Sequence, residues 1–544
     1  MLALSRVLLL SAALFTSASA VTVQKHLEAP RHTKRIAVVG MGASGISALR
    51  AIMDLPEGLR AGWEVVAYEQ RDDVGGIWLP QDNPPPPPGL PETPLYPMLR
   101  TNGAHPYQTL PHAPFPPETP LLAPHAAVLR YHQDALARAK LTSLVWLRHA
   151  VLRAEWVGDV REGFWELLVE DRARRRTFLK HVDHLIAAPG INRFPNYPDF
   201  DGVEDWLAAG KEIVHCVYFR DPRAFVGRHV VVVGAGPSGW DIVRHILPHA
   251  ASVHWSRDTR EDNPSSPKWD PIPGAPDRPR IMSLAGGVIT FANGTTLARA
   301  DVLLLATGYE TRIPFLTAGG FLDELPRGAP RPEGVLSTTG RYVRPLFEHV
   351  LALDTRYPPG ALYLHGLPMY NPTGLTTAAQ GLFMAYTLAQ PELLRSRVQM
   401  LRDLEEREER VRELGLDPER VGHKPTIGYG PLAGHLANGS YEDLLMHSLR
   451  DRGLAGYPGI PQLGANFTEQ WRLYVMSTGT DVLFAWNAGE LTEGVERWNE
   501  RWTKGRVTEK DYVKAVKGVI EWWKEGKRRT GKGDQRSADV WGWF

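Results

Sequence analysis

A strand–glycine–helix unit that occurs twice constrains this chain more than any other feature. Residues 36–39 and 230–233 are short apolar runs rich in valine, as in buried parallel strands. Each run leads into a Gly-x-Gly-x-x-Gly turn, at residues 40–45 and 234–239, and then into a helical stretch. Such a turn brings backbone amides and a helix N-terminus close to a pyrophosphate. The pattern predicts two dinucleotide-binding units in an α/β chain.

The residue that ends the next strand distinguishes the two units. In the first unit the strand at residues 63–68 ends at Glu69, where a carboxylate binds a ribose 2′-hydroxyl and repels a 2′-phosphate. This unit is therefore expected to hold FAD or NAD rather than NADP. In the second unit the strand at residues 252–255 is followed by Arg257, where a cation can pair with the 2′-phosphate of NADP. The alternative for Arg257 is an ordinary exposed arginine. The two strand ends together favour FAD first and NADPH second.

Composition excludes several kinds of flavoprotein that also carry two such units. The chain has 544 residues and a single cysteine, Cys216, so the redox cysteine pair of disulfide reductases cannot form. A zinc cluster of cysteines is excluded for the same reason, and no metal site is predicted. Lys+Arg is 62 and Asp+Glu is 61, so no global basic field attracts nucleic acid. Electron-transfer reductases, NADH oxidases and flavin monooxygenases remain.

Short motifs outside the glycine turns carry a resemblance to a known family. A Gly-Gly-x-Trp block stands at residues 75–78, a Thr-Asn pair at residues 101–102, and an Ala-Thr-Gly-Tyr block at residues 306–309. With the two glycine turns, this combination resembles the flavin-containing monooxygenase family, in its fungal, dimethylaniline-monooxygenase-like branch. The resemblance extends over roughly residues 34–390.

The chain departs from the family pattern at two places. Pro189 replaces the threonine of an Ala-Thr-Gly triplet, which removes a hydroxyl and restricts the backbone φ angle. The block that identifies the family keeps its spacing from His215 to Phe219, but its upstream half is stretched. His215 is interpreted as a residue of the linker between domains, with a hinge role at least as plausible as a catalytic one, and Cys216 as an inert thiol.

The resemblance implies an α/β fold with two dinucleotide-binding (Rossmann-like) domains, in which the NADPH domain is inserted into a discontinuous FAD domain. The implied boundaries are residues 33–198 and 340–390 for the FAD domain and residues 212–318 for the NADPH domain. Residues 391–544 are predicted to be a helical, charged C-terminal extension. We expect this extension to cover the FAD domain rather than to form a separate catalytic unit.

The resemblance also implies the chemistry, which is NADPH- and O₂-dependent oxygenation of a soft nucleophile at nitrogen or sulfur through a C4a-hydroperoxyflavin. The flavin performs the reaction, and the protein positions it and excludes water. Asn102 is the implied catalytic residue, because its amide can donate a hydrogen bond to the flavin peroxide or to retained NADP. The alternative for Asn102 is that it only caps a turn before Gly103.

The predicted cofactor-binding residues combine the two glycine turns, the strand ends and the residues implied by the resemblance. On the FAD side they are Gly40, Gly42, Ala43, Ser44, Gly45, Glu69, Ile77, Trp78, Thr101, Asn102 and Gln380. On the NADPH side they are Gly234, Gly236, Ser238, Gly239, Trp240, Asp241 and Arg257.

The sequence leaves other functions open. The same fold could act as an NADPH oxidase that releases hydrogen peroxide, or as a non-catalytic nucleotide-binding protein. A Baeyer–Villiger-type monooxygenase is a further alternative, although Phe219-Arg220 stands where that subgroup typically has Trp-Pro. The expected partners are a small-molecule substrate and O₂, without nucleic acid.

The N-terminus has the features of a secretory signal peptide at residues 1–20. Arg6 precedes an apolar run at residues 7–15, and Ala18-Ser19-Ala20 fits a small-residue cleavage site. The run is shorter than the roughly 20 residues that span a bilayer, so cleavage is expected and no transmembrane segment in the mature chain. This predicts the secretory pathway, either the endoplasmic reticulum lumen or secretion.

Overall fold

The computed structural model describes residues 34–529, apart from residue 112 and residues 259–270, 370–372 and 426–439. The predicted signal peptide at residues 1–20 lies outside the described residues.

The first glycine turn belongs to a seven-stranded sheet. Its central strand, Arg35–Val39, pairs in parallel with Glu64–Glu69 on one side and with His184–Ala187 on the other. The central strand is apolar along nearly its whole length because both faces of the sheet are covered. In spatial order the strands are Leu346–Phe347, Leu351–Ala352, Leu362–Leu364, His184–Ala187, Arg35–Val39, Glu64–Glu69 and Val145–Leu147.

The second glycine turn belongs to a five-stranded parallel sheet with the same local arrangement. His229–Val233 is again central, between Ser252–Ser256 and Val302–Leu305. In spatial order the strands are Asp277–Arg278, Ser252–Ser256, His229–Val233, Val302–Leu305 and Glu212–His215. The first sheet resumes in the sequence only after this sheet is complete. The predicted fold class, two Rossmann-like domains with the second inserted into the first, is thereby confirmed, whereas the residue boundaries stay predictions.

The two chain segments that connect the sheets pair with each other. Phe194–Pro195 and Tyr309–Glu310 form a short antiparallel ribbon. Beside it, Asn196 Nδ2 donates to the Thr307 carbonyl at 3.0 Å, and Thr307 Oγ1 donates to the Asn196 carbonyl at 2.6 Å. The exit and the return of the chain are therefore held together where it crosses between the sheets.

Smaller sheets and helices complete the described structure. The antiparallel strands His149–Val157, Phe164–Asp171 and Arg176–Val182 form one sheet, and Ile281–Ser283, Ile289–Phe291 and Thr296–Leu297 form another. A third small sheet contains Asp323–Glu324, Ser337–Thr338 and Val343–Arg344. The α-helices are Ala43–Met53, Glu57–Arg60, His125–Arg138, Val203–Ala208, Pro237–Ile246, Pro314–Ala318, Thr373–Ala389, Arg397–Glu413, Pro418–Val421, Tyr441–Leu449, Gln470–Ser477, Gly479–Glu493, Val495–Thr503 and Glu509–Arg529.

The C-terminal extension divides between the two sheets. Met400 and Leu445, from the helices Arg397–Glu413 and Tyr441–Leu449, lie in the core of the first sheet. Trp486, Trp498 and Val516, from the later helices, lie in the core of the second sheet. The same core also contains Tyr96, Ala104 and Leu121 of the first unit, so residues 470–529 cover both units, and the expectation that the extension covers the FAD domain holds in part. An apolar helix face shows that a helix is buried but not which surface buries it. Within the described part of the chain, no helix combines the length and apolarity needed to cross a bilayer.

Candidate cofactor and substrate cavity

A large cavity extends between the two glycine turns. Its volume is about 2090 Å³, and residues of both sheets line it. Small-molecule pockets are typically about 300–1,000 Å³, so the cavity has room for more than one ligand. The predicted site residues that line it are Gly40, Gly42, Ala43, Ser44, Glu69, Ile77, Trp78, Thr101, Asn102, Gly234, Gly236, Ser238, Trp240, Asp241 and Arg257. The fold thus gathers residues that are far apart in the sequence.

The first and third glycines of each turn are required by close packing. A Cβ on Gly45 would lie 1.8 Å from the Gly40 carbonyl oxygen, and a Cβ on Gly239 would lie 2.4 Å from that of Gly234. Gly40 and Gly234 also have positive φ angles, +96° and +124°. Gly45 and Gly239 do not line the cavity, so they allow the helix to approach the strand rather than contact a ligand.

The second glycine of each turn faces the cavity at the N-terminus of a helix. Gly42 precedes Ala43–Met53, and Gly236 precedes Pro237–Ile246. A Cβ on Gly42 would approach the Gly76 Cα to 3.3 Å, whereas a Cβ on Gly236 would meet no heavy atom within 4 Å. Both positions leave room above helix N-terminal amides, which fits the pyrophosphate of a dinucleotide.

Glu69 lies at the end of its strand, at the wall of the cavity. Its Oε2 accepts the Met41 N–H at 2.8 Å, and its Oε1 accepts the Arg71 N–H at 3.0 Å. Burial raises the pKa of Glu69, while these two hydrogen bonds act in the opposite direction. A carboxylate has about four lone-pair sites, so two acceptor positions remain for ribose hydroxyls. The residue therefore fits the predicted contact with an FAD ribose.

Arg71 was missed by sequence reasoning, although it follows Glu69 by two residues. Its guanidinium donates to the carbonyl oxygens of Gly76, at 3.0 Å, and Leu79, at 2.8 Å. It also forms an ion pair with Glu92 at 3.0 Å. Arg71 thus anchors the loop that carries Ile77 and Trp78. In the sequence, Arg71 is recognisable only as an arginine near a glycine-rich loop, and this position does not predict that it donates to the carbonyl oxygens of that loop.

Arg257 lies at the end of the corresponding strand of the second sheet and lines the cavity. Its side chain is 13% exposed and forms an ion pair with Asp277 at 2.6 Å. Its guanidinium carbon also lies 4.2 Å from the centroid of the Trp255 ring. The neighbouring strand, which supplies Asp277, was not recognised in the sequence. The pair and the ring orient the guanidinium at the place where a 2′-phosphate contact is predicted.

The two residues of the Thr-Asn pair have different environments. Thr101 is buried, its Oγ1 accepts the Ala123 N–H at 3.0 Å, and its own N–H donates to the Ala123 carbonyl at 2.9 Å. Asn102 is exposed and lines the cavity. Thr101 therefore holds this segment, and Asn102 presents an amide to the space between the two turns.

Gln380 does not line the cavity, although it is predicted to bind a cofactor. The side chain is fully buried, and its Oε1 accepts the Gly366 N–H at 3.0 Å. Gly366 does line the cavity, and a Cβ there would lie 1.9 Å from Ser44 Oγ. Gln380 acts through Gly366, which sequence reasoning did not identify.

Asp241 joins the second glycine helix to a loop of the first unit. Tyr96 donates its hydroxyl hydrogen to Asp241, and His245 Nε2 lies 3.5 Å away from it. Burial works against the charge of Asp241, but the interactions with His245 and Tyr96 outweigh it and lower the pKa of this carboxyl. Tyr96 also lines the cavity and was not among the predicted residues.

The C-terminal extension lines the cavity at two places that the sequence did not reveal. One includes the charged residues Asp417, Glu419, Arg420 and Lys424, and the other is a wall formed by later helices. The residues of this wall are uncharged: Met476, Ser477, Gly479, Thr480, Leu483 and Asn487. They come from Gln470–Ser477 and Gly479–Glu493, beyond the part of the chain where the resemblance applied. Their position follows from tertiary packing on the second sheet, which no local pattern encodes.

His215 and Cys216 lie at the end of the strand Glu212–His215 of the second sheet rather than in a linker between the sheets. His215 is fully buried, and its Nδ1 accepts the Val217 N–H at 3.1 Å. Its Nε2 therefore carries the hydrogen and donates to the Gly308 carbonyl at 3.0 Å. Burial lowers the pKa of His215 to about 4 and raises the pKa of Cys216 to about 11. A protonated, buried thiol agrees with the inert-thiol interpretation of Cys216, whereas the hinge role of His215 stays a prediction.

Comparisons with known proteins identify relatives of this arrangement. The family model described as flavin-binding monooxygenase-like matches residues 33–261. Flavin-containing monooxygenase FMO GS-OX-like 2 of Arabidopsis thaliana is 27% identical over 418 residues, covering 72% of this chain and 82% of its own length. Trimethylamine monooxygenase of Roseovarius sp. (strain 217) is 28% identical over 298 residues, covering 52% of this chain and 62% of its own length.

A solved structure shows the same fold. S-allyl-L-cysteine S-oxygenase from Allium sativum superposes with a TM-score of 0.66 at 20% identity, over 90% of this chain and 99% of that chain.

Proposed function

We propose that this chain, which is similar to flavin-containing monooxygenases, binds FAD, uses NADPH and oxygenates a soft nucleophile at nitrogen or sulfur. The proposed reaction consumes NADPH and O₂, as in N,N-dimethylaniline monooxygenases. Two relatives support this substrate class, one named for an amine and the other for a thioether.

A single observation carries the proposal. Both glycine turns line one cavity, and the strand that follows each turn ends at a residue of opposite charge. Glu69 lies beside the first turn and Arg257 beside the second. A carboxylate repels a 2′-phosphate, and an arginine attracts it. The arrangement therefore favours FAD at the first turn and NADPH at the second, with both facing the same space.

Each turn has a distinct task in this proposal. The amides that follow Gly42 would hold the FAD pyrophosphate, and Glu69 would accept ribose hydroxyls. The amides that follow Gly236, together with Arg257, would hold NADPH. Bound FAD, reduced by NADPH, supplies the activation of O₂.

The remaining cavity residues position the reactants and exclude water. Asn102 would donate a hydrogen bond from its Nδ2 to the oxygenated flavin or to retained NADP. Thr101 keeps Asn102 in place through its two hydrogen bonds with Ala123. The uncharged C-terminal wall would close the space around the substrate. Protection from water is what separates oxygenation from peroxide release.

The test is a single sequence of spectra on the purified protein. Flavin absorbance is recorded, NADPH or NADH is added without oxygen, and air is then admitted with trimethylamine or S-allyl-L-cysteine. We expect bound flavin, faster bleaching with NADPH, and oxygenated product in excess of hydrogen peroxide. Peroxide equal to the NADPH consumed, with no product, would indicate an oxidase instead. A protein that takes up no flavin even when FAD is added would refute the enzymatic proposal.

We also propose that the chain enters the secretory pathway through residues 1–20. Expression in a eukaryotic secretory host, followed by N-terminal sequencing, tests this directly. A mature N-terminus at Val21 is expected, and an intact N-terminus on cytosolic protein would contradict it.

A further inference from the structure

One face of a C-terminal helix contacts both nucleotide units at the cavity. On the helix Gly479–Glu493, Glu490 Oε1 accepts from Arg100 Nη1 at 2.6 Å. Three residues earlier, Asn487 Oδ1 accepts from Arg244 Nη1 at 2.6 Å. Residues three apart share a helix face. The helix is therefore tied to a segment of the first unit and to the glycine helix of the second.

The Glu490 contact is buried and has two donors. The Glu490 side chain is 8% exposed, and the Trp486 indole N–H also donates to Oε1, at 2.9 Å. Arg100 is 33% exposed and lines the cavity. A carboxylate in this position neutralises a guanidinium that would otherwise extend into the cavity. Removing one partner of such a pair leaves the other uncompensated.

The Asn487 contact is continuous with ring packing on the second glycine helix. The Arg244 guanidinium lies 4.6 Å from the centroid of the Trp240 ring, and Trp240 lies edge-to-face against Phe484 at 5.6 Å. Asn487 also donates from Nδ2 to the Leu483 carbonyl at 2.7 Å, which fixes the orientation of its amide. The second glycine helix is thus held through a charged and an aromatic contact.

These contacts bear on the residue that is predicted to act on the reactants. Arg100 immediately precedes Thr101 and Asn102, and Thr101 is held on its other side by Ala123. The position of Asn102 relative to the second glycine turn therefore depends on the helix that contacts both.

We propose that Glu490 is a positioning residue and that the helix Gly479–Glu493 acts as a brace, which sets the separation between Asn102 and the second glycine turn. The inference rests on the proposed function, because this separation matters for activity only if a hydride passes between cofactors held by the two units. Misplacement by about 1 Å can cost on the order of 10²-fold in rate. Loss of the Glu490 contact should slow hydride transfer without weakening NADPH binding, because Arg100 belongs to the first unit and NADPH is expected to bind to the second.

The test compares Glu490→Gln with Glu493→Gln on the same helix. Glu493 forms an ion pair of the same length, 2.6 Å, with Arg501. Neither Glu490 nor Glu493 lines the cavity. In Glu490→Gln we expect kcat for NADPH oxidation to fall about tenfold, with KM for NADPH and the Kd for NADP⁺ unchanged. The fraction of NADPH electrons recovered as hydrogen peroxide should rise. Glu493→Gln should match the unmodified protein in each measurement.

Hydrogen exchange of the purified proteins provides a readout that does not depend on turnover. Amides of residues 100–103 should exchange faster in Glu490→Gln than in Glu493→Gln, while the rest of the first unit is unchanged. Asn487→Leu, which removes the acceptor for Arg244 at similar volume, should accelerate exchange in Pro237–Ile246 and show the same split between kcat and KM.

Each outcome bears on the brace. Equal exchange and equal kcat in the two glutamate variants would overturn it. Faster exchange throughout both units, or parallel losses of kcat and NADP⁺ binding, would show that Glu490 only stabilises the fold and would also overturn it. If the unmodified protein does not oxidise NADPH, the proposed function fails, and local exchange at residues 100–103 still decides whether the brace exists.

Discussion

The two nucleotide units share a backbone plan but differ in charge and in the space at their turns. In both, a central strand is flanked by two parallel neighbours, and its glycine turn has the same close approach between the first and third glycines. One difference is a side chain, Glu69 against Arg257 at the strand end, and the other is the backbone of Gly76, which lies beside Gly42 whereas Gly236 faces open space. We therefore expect the backbone to bind the pyrophosphate in both units and the strand-end side chains to select the nucleotide.

The largest effect is expected from a methyl group at the third glycine of the first turn. In Gly45→Ala the Cβ would lie 1.8 Å from the Gly40 carbonyl, so the strand or the helix must move. Overpacking of this kind typically costs about 1–3 kcal/mol, and here it also displaces the turn that would hold FAD. We expect loss of bound flavin and a lower Tm, measured by absorbance and by thermal unfolding. Full flavin content would show that the first turn does not depend on this contact.

The same substitution at the second glycine of the second turn should separate binding from stability. Gly236 has no heavy atom within 4 Å of the added Cβ, and its φ of −78° suits alanine. Gly236→Ala should leave Tm and flavin content unchanged and weaken NADP⁺ binding by about tenfold or more, because the methyl group occupies the approach to the phosphates. Isothermal titration measures the Kd. Unchanged affinity would remove this turn from the nucleotide site.

Neutralising the strand-end arginine should change the choice of nucleotide. In Arg257→Gln the ion pair with Asp277 is lost, and the remaining carboxylate repels a 2′-phosphate. A hydrogen bond to a charged group contributes about 1.5–3 kcal/mol, so the ratio of kcat/KM for NADPH over NADH should fall by about 10- to 100-fold. Asp277→Asn is the matched variant, which keeps Arg257 and should retain the preference for NADPH. An unaltered ratio in Arg257→Gln would assign nucleotide choice to other residues.

The smallest effect concerns a carboxylate that both units place at the start of the central strand. Asp183 accepts the Arg35 N–H and Asp301 accepts the His229 N–H, each at 2.8 Å. Arg35 also donates from its guanidinium to Asp183, at 2.6 Å. Asp183→Ala should therefore cost about 2 kcal/mol and Asp301→Ala about 1 kcal/mol, measured as shifts in the unfolding temperature of the two variants. Equal shifts would mean that the guanidinium contributes little.

The pH dependence of this contribution has a definite sign. Burial works against the Asp183 charge, but the hydrogen bonds from Arg35 outweigh it and hold the pKa of Asp183 below its usual value of 3.8. The stabilisation is therefore complete above that value and is lost as the pH falls through the lowered pKa. The difference in stability between the unmodified protein and Asp183→Ala should shrink only in strong acid.

Several site residues could be predicted because their role depends on local backbone geometry. Gly40, Gly45 and Glu69 belong to a strand–turn–helix–strand unit that is continuous in the sequence, and the structure places Gly40 and Glu69 at the cavity with Gly45 packed behind them. Arg71 and Asp277 were missed because their partners are backbone carbonyls and a charge on another strand.

The sequence by itself determined that this chain forms two nucleotide-binding units, since glycine spacing and apolar runs dictate strand, turn and helix without help from distant residues. Only the tertiary structure decided that both turns open into one cavity, that Gln380 acts through Gly366, and that the helices after residue 470 pack on the second sheet and on residues 96–122 of the first unit. Those outcomes depend on which surfaces meet. Hydrophobic burial is non-directional, so an apolar face specifies that it is covered and leaves its partner to the packing of the whole chain.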